Sequence, residues 1–283
     1  MERDDESGIR DGVDLSIVIP AYRQGARIRQ DIAGVQAVLA SLTPSHELIV
    51  VVDGSDDDSL AHALACEADQ IRIFGYEVNR GKGYAVRFGF RQASGKIIGF
   101  IDAGGDIDPV GLVAAVQTLH ETGSDVVVGS KRHQASRVVY PPIRRVYSAV
   151  FQLLVRLLFG FSVSDTQTGL KVFRRVAIIE ALPHMSIDRF AFDVELLAII
   201  RRVGFRKFAE SPVDVNLIFP SSIGGFRPIL RMFVDTIATA VRVHRIRRGS
   251  DGTPGAREDH DTRDPHEARR TRVHSGSVDT SSN

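Results

Sequence analysis

Five apolar runs, each closed by a polar loop and separated from the next by a helical stretch, constrain this chain more than any other feature. The runs are "DLSIVIPAY", "HELIVVVDGS", "IRIFGYEV", "KIIGFIDAG" and "SDVVVGS". Helical stretches fill the intervals at about 25–42, 58–68, 83–93 and 109–122. Near-continuous apolar runs of this length mark strands buried on both faces. Repeated strand–helix units predict an α/β fold, a mostly parallel central sheet with helices on both faces. Such sheets bind ligands beyond the carboxyl ends of their strands. Those ends carry "PAYRQ", "VDGSDDDS", "NRGKG" and "DAGGDIDP", so four polar loops meet at one edge.

The limits of the folded region follow from composition. Residues 1–12 are acidic and polar, and residues 249–283 mix charges with Gly, Ser and Pro and hold almost no large apolar side chains. Neither segment buries enough surface to offset its ordering entropy, so a disordered leader and tail are expected around one folded region at 13–248. A formal net charge of +1 offers no global attraction for nucleic acid. Cys66 is the sole cysteine, which excludes an intramolecular disulfide or a cysteine-based zinc site and fits a reducing cytoplasm. The leader lacks the pattern of a secretory signal, and no run reaches the roughly 18 uninterrupted apolar residues that span a bilayer. The expected chain is soluble or lies on a membrane surface.

Two of the loops carry specific chemistry. "FIDAGGDIDP" ends an apolar strand with Asp102, Asp106 and Asp108, whose mutual repulsion implies a cation or a ligand that brings one. Asp108, before Pro109, suits a cap on the next helix. In "NRGKG", Gly81 and Gly83 mark a backbone that passes close to a ligand, and Lys82 can offer charge to a diphosphate. A Rossmann site would need G-x-G-x-x-G after the first strand, where this chain has "PAYRQGAR". A P-loop would need G-x-x-x-x-G-K-[ST], which "NRGKGYAV" does not match.

Together "SIVIPAYRQ", "VVDGSDDDS", "NRGKGYAVRFGF" and "FIDAGGD" resemble, in order and spacing, the nucleotide-sugar domain of the inverting family-two glycosyltransferases. "DTQTGLKVFRR" and "FAFDVELL" narrow the resemblance to the branch containing dolichyl-phosphate glucosyltransferases and dolichyl-phosphate mannose synthases. It covers about 15–248 and implies a domain of the glycosyltransferase-A type. About 13–130 would be the nucleotide-sugar half and about 131–248 the acceptor half. The resemblance places Pro20, Tyr22, Asp53, Ser55, Gly81, Lys82, Gly83, Asp102, Gln167 and Glu195 against the nucleotide sugar. Asp53 would accept from an N–H of the base. Arg23 and Gln24 replace the family's usual Asn and Glu, and Arg23 could reach a phosphate.

In the resembled enzymes the fourth strand ends in D-x-D, which holds Mg²⁺ or Mn²⁺ on the diphosphate. Asp102 matches the first acid, but Gly104 stands in the second position. Asp106, two residues on, is the expected partner of Asp102 in holding the metal. Lys131 or Arg132 matches a basic residue near the phosphates, and Arg132 suits a bidentate grip better. Asp102, Arg132 and Asp165 are the expected catalytic residues. Asp165 and Gln167 would meet sugar hydroxyls, with Lys171 and Arg174 nearby on the acceptor side. Glu195 would also meet a sugar hydroxyl, and Asp193 suits a cap.

A hydroxyl acceptor needs a general base, whereas a phosphate monoester is already largely dianionic at neutral pH. A lipid phosphate therefore asks for cations and alignment, which fits a site rich in arginine with no evident catalytic histidine. Two helical segments suit a bilayer interface. One, at 144–163, is apolar but for a stripe of Arg145, Ser148, Gln152 and Arg156. The other, at 226–248, sets Arg231, Asp235, Arg242 and Arg245 against Phe233, Ile237, Ala240 and Val241. The expected function is inverting, metal-assisted transfer of glucose or mannose from a nucleotide sugar to polyprenyl phosphate, by a peripheral enzyme on the cytoplasmic face of the membrane. The alternatives are transfer to a sugar or small hydroxyl acceptor, and a non-catalytic nucleotide-sugar binder.

Overall fold

The computed structural model describes residues 12–139, 142–189, 191–216 and 226–246. Most of the expected leader and all of the expected tail lie outside them. In chain order the elements are β1 (Leu15–Ala21), α1 (Ile28–Leu42), β2 (His46–Asp53), α2 (Ser59–Leu64), β3 (Ile71–Tyr76), α3 (Lys82–Gln92), β4 (Ile97–Ile101), α4 (Gly111–Thr122) and β5 (Val126–Ser130). There follow β6 (Arg137–Val139), α5 (Pro142–Phe159), β7 (Leu170–Arg174), α6 (Arg175–Ala181), α7 (Phe192–Arg202), β8 (Phe208–Pro212), β9 (Asp214–Asn216) and α8 (Phe226–Arg245).

Seven strands form one sheet in the order β3-β2-β1-β4-β7-β5-β8. Every neighbouring pair is parallel except those made by β7, which runs antiparallel between β4 and β5. β6 and β9 form a separate parallel pair. Successive strand residues point to opposite faces, so each strand feeds two cores. Val18, Ile49, Val51 and Phe100 join Phe90 of α3, Phe173 of β7 and Phe192 of α7 on one face. Ile17, Ile19, Leu48, Val50 and Val52 meet α1 and α4 on the other. The α1 stripe of Ile28, Ile32, Val35 and Leu39 follows helical spacing and is fully buried. Each such side chain contributes about 1.5–3 kcal/mol.

β7 corrects one expectation. "LKVFR" was read with the acceptor loop, yet it is a central strand. Its antiparallel course puts Arg174 opposite Ile97, at the start of β4 and so at the sheet edge away from the ligand loops. There Arg174 Nε donates to the Ser124 carbonyl at 3.0 Å. Lys171 is fully buried within the sheet rather than open to an acceptor.

The candidate interface helices are also packed differently from the expectation. Gln152 faces inward and donates to Thr166 Oγ1 at 3.1 Å, while Leu153 and Leu157 face outward. On α8, Thr236, Thr239, Ala240 and Val243 are buried, and Val234, Ile237 and Val241 are exposed. The two helices touch through an edge-on pair of Phe151 and Phe233 with centroids 5.5 Å apart.

Candidate active site

The loops after β1, β2, β3, β4 and β5 share one edge with the 164–169 loop that leads into β7, because β7 runs the other way. α7 starts at the same edge and brings Phe192, Asp193 and Glu195.

Asp53 ends β2 almost wholly buried. Its two carboxylate oxygens accept from the backbone N–H of Arg80 at 2.7 Å and of Gly81 at 2.8 Å. Burial, and then the charge of Asp53, hold the Tyr76 phenol well above its ordinary pKa. Asp53 thus shapes the "NRGKG" turn. Gly81 has φ +108°, and a Cβ there would lie 2.4 Å from the Asp188 carbonyl oxygen. A Cβ on Gly83 would lie 2.5 Å from the Ile187 carbonyl. The close approach expected at these glycines is therefore to the 187–188 segment of the chain itself.

Glu195, fully buried, holds that segment in turn. It accepts from the Ser186 N–H at 2.9 Å and the Ile187 N–H at 2.8 Å, and Arg242 of α8 pairs with it. Both its oxygens are engaged in this bracing, so it meets the chain's own loop in the place where a sugar hydroxyl was expected.

At the end of β4, both carboxylate oxygens of Asp102 lie 2.7 Å from Lys82 Nζ. The Asp102 N–H donates to Gly169 O at 2.8 Å, and a Cβ on Gly169 would fall 2.0 Å from Asp102 Oδ2. Lys82 Nζ sits 5.5 Å from the ring centroids of both Phe100 and Phe192. Burial alone would lower the Lys82 pKa, but Asp102 and then Asp193 hold it above its ordinary value. Behind it, Lys171 Nζ donates at 2.6 Å to both Asp193 and the Thr168 carbonyl. Desolvation wins at Lys171 and lowers its pKa despite Asp193.

Asp31 of α1 accepts from the Gly104 N–H at 2.8 Å and pairs with Arg27 at 3.8 Å. Burial raises the Asp31 pKa, the Gly104 N–H and Arg27 lower it, and the charge of Asp106 raises it further. Among the described residues no three His, Cys, Asp or Glu side chains are grouped to hold a metal ion. In a nucleotide site such a cation is held by one or two carboxylates together with water and the phosphates of the substrate. Lys82 already lies on the Asp102 carboxylate, donating to Oδ2 and leaving Oδ1 without a hydrogen bond, and Gly104 supplies no second carboxylate beside it, so the set fits such a cation poorly. Asp108 accepts from the Val110 N–H at 2.9 Å, as expected of a turn residue leading into α4.

The rim of the site holds Tyr22, Arg23 and Ser55, all exposed, with Pro20 buried in β1 beneath them. Arg23, at φ +52° the one non-glycine with positive φ among the described residues, pairs with Asp56 at 2.5 Å, and Tyr22 donates to the same carboxylate. On the far side, Asp165 is buried. It accepts from the N–H groups of Lys131 at 3.2 Å and Gln167 at 3.1 Å, and from Thr168 Oγ1 at 2.6 Å. Arg132 is exposed beside it. Gln167 Nε2 is buried with no hydrogen-bond partner. Glu210 of β8, which the motifs did not reveal, accepts from Ser164 Oγ at 2.9 Å and the Asp165 N–H at 3.3 Å. Arg27 and Asp31 were likewise missed, because they occupy ordinary positions of an amphipathic helix start.

Similarity to known proteins agrees with this edge. The pattern of the family described as Glycosyl transferase family 2 matches residues 16–182. The chain is 32% identical over 228 residues to a dolichyl-phosphate beta-glucosyltransferase of Saccharomyces cerevisiae, covering 71% of this chain and 67% of that one. It is 31% identical over 239 residues to dolichyl-phosphate beta-glucosyltransferase ALG5C of Trichomonas vaginalis, covering 80% and 70%. The fold resembles glucosyl-3-phosphoglycerate synthase from Mycobacterium tuberculosis, solved with Mn²⁺, UDP and phosphoglyceric acid. That match has a TM-score of 0.61 and 23% identity, and covers 83% of this chain and 80% of that one. A sheet edge built from these loops, and a family match over most of the strands that carry them, lead to one conclusion: the chain is a glycosyltransferase and belongs to glycosyl transferase family 2.

Proposed function

We propose that the protein transfers a hexose from a nucleoside diphosphate sugar to polyprenyl phosphate at a membrane surface, with inversion at the anomeric carbon. The observation that carries the lipid acceptor is the outward apolar face of α8, supported by α5. α8 buries Thr236 and Thr239 while Val234 is 56% exposed and Val241 54%, and on α5 Leu157 is 76% exposed. An outward apolar face needs an apolar neighbour, and a bilayer interface supplies one. Beside it, a cavity of about 250 Å³ is lined by Arg201, Arg202, Arg206 and His244 together with Leu158, Phe159 and Val243. Cations at the border of an apolar face favour anionic headgroups. Among the described residues no helix is long and apolar enough to cross a membrane.

The chemistry follows from the acceptor. A phosphate oxygen of the lipid attacks the anomeric carbon as the bond from that carbon to the diphosphate breaks, and the nucleoside diphosphate leaves. No proton has to be removed, because the acceptor is already ionised. The residues act by charge and alignment. Asp53 shapes the turn that receives the nucleotide. Lys82, held by Asp102, faces the diphosphate, and Arg132 takes the incoming phosphate. Asp165 fixes the loop that offers the unpartnered Gln167 amide to a sugar hydroxyl.

The test is incubation of the full chain with radiolabelled UDP-glucose or GDP-mannose and polyprenyl phosphate in liposomes. Label in the lipid fraction supports the reading. Label passed only to 3-phosphoglycerate or another water-soluble acceptor contradicts it.

A further inference from the structure

We propose that this site binds the diphosphate of its donor without a divalent cation, Lys82 and Arg27 standing where a metal would otherwise supply positive charge. The proposal rests on the nucleotide-sugar reading above.

The loop from Asp102 to Asp106 already has a cation on each side. Lys82 Nζ lies 2.7 Å from both oxygens of Asp102 and 5.5 Å from the ring centroids of both Phe100 and Phe192. The carboxylate itself is seated against Gly169, where a Cβ would come within 2.0 Å of it. It has no room to turn towards a second cation on that side. A divalent ion placed on Asp102 would meet the Lys82 ammonium at close range, and like charges in a partly buried site repel strongly.

On the other side, the Arg27 guanidinium lies across Gly105, with Nη2 1.9 Å from where a Cβ would stand. Its Nε is buried and makes no hydrogen bond, and its pairing with Asp31 is long, at 3.8 Å. Gly104, between these cations, offers no ligand atom beyond its backbone, and its N–H is spent on Asp31. Asp102 is thus answered by the chain's own lysine, and Arg27 stands over Gly105 on the other side. An ammonium carries three N–H donors and a guanidinium five. Both cations retain donors for the oxygens of a diphosphate.

The experiment is calorimetric titration of the full chain with UDP, GDP and ADP, in EDTA and again in excess MnCl₂. For the nucleotide that binds, the Kd in the two buffers is expected to agree within about twofold. Weakening of about tenfold or more in EDTA overturns the proposal. Failure of all three nucleotides in both buffers overturns instead the nucleotide-sugar reading on which it rests. Electron paramagnetic resonance of Mn²⁺ gives a second readout. A free-ion signal unchanged by the protein supports the proposal, and stoichiometric loss of that signal contradicts it. Lys82→Met is expected to weaken binding in EDTA by about tenfold or more, and Arg27→Gln, which leaves Asp102 untouched, by several-fold. Unchanged affinity in both variants rules the two cations out.

Discussion

Lys82 Nζ bridges both carboxylate oxygens of Asp102 at 2.7 Å, joining the first residue of α3 to the residue that follows β4. The pair fastens the "NRGKG" turn to the loop that carries the acids. Lys82 has its pKa raised above 10.5, so the sign of its contribution is set. The stability it adds is complete below pH 10.5 and is lost as pH rises through the folded value. Urea unfolding at about pH 9 and about pH 11.5 should therefore show a larger alkaline loss in the native protein than in Lys82→Met.

Gly169→Ala tests the same contact from behind. The new Cβ would overlap the Asp102 carboxylate, so the acid must move and the ion pair must stretch. We expect a loss of about 1–3 kcal/mol of stability, read by denaturant titration, together with weaker nucleotide binding.

The buried pair of Lys171 and Asp193 should behave as a unit. Lys171→Met alone strands the Asp193 carboxylate and should cost about 3–5 kcal/mol. Adding Asp193→Leu removes the stranded charge, and the double variant should recover most of that loss in the same unfolding assay.

Glu195 acts at a distance. Glu195→Ala releases Ser186 and Ile187 and leaves Arg242 without its acid. The 187–188 segment packs on Gly81 and Gly83, so the variant should weaken nucleotide binding by several-fold. Calorimetry checks the affinity, and faster amide exchange at Gly81 and Lys82 checks the route.

Leu157→Asp and Val241→Asp place charge on the outward apolar face. Each should sharply reduce sedimentation with anionic liposomes while changing stability by no more than about 0.5 kcal/mol, because the sites are exposed.

Much of the sheet was legible because its strands are buried on both faces, and Ile17–Ile19 and Leu48–Val52 therefore read as unbroken apolar runs. β7 was not, since Lys171 interrupts its pattern and nothing local marks a buried lysine whose partner, Asp193, lies 22 residues further on. Asp53, Lys82, Asp102 and Gln167 lie at the sheet edge that their loops indicated, but the pairing of Lys82 with Asp102 could not be read from their spacing. Asp31, Arg27 and Glu210 approach through tertiary contacts that leave no trace in spacing. The glycines of "NRGKG" were recognised as sites of close approach, and the approaching atoms proved to be the chain's own. On α8 the expected apolar side is divided, with Ala240 buried against the domain and Ile237 and Val241 exposed.

The most direct test of the account is the structure of the lipid product made from an α-linked nucleotide sugar and polyprenyl phosphate. The account predicts a polyprenyl phosphohexose whose sugar is β-linked to phosphate, seen by NMR and mass spectrometry. An α-linked product, or no hexosyl lipid from any nucleotide sugar supplied, would contradict it.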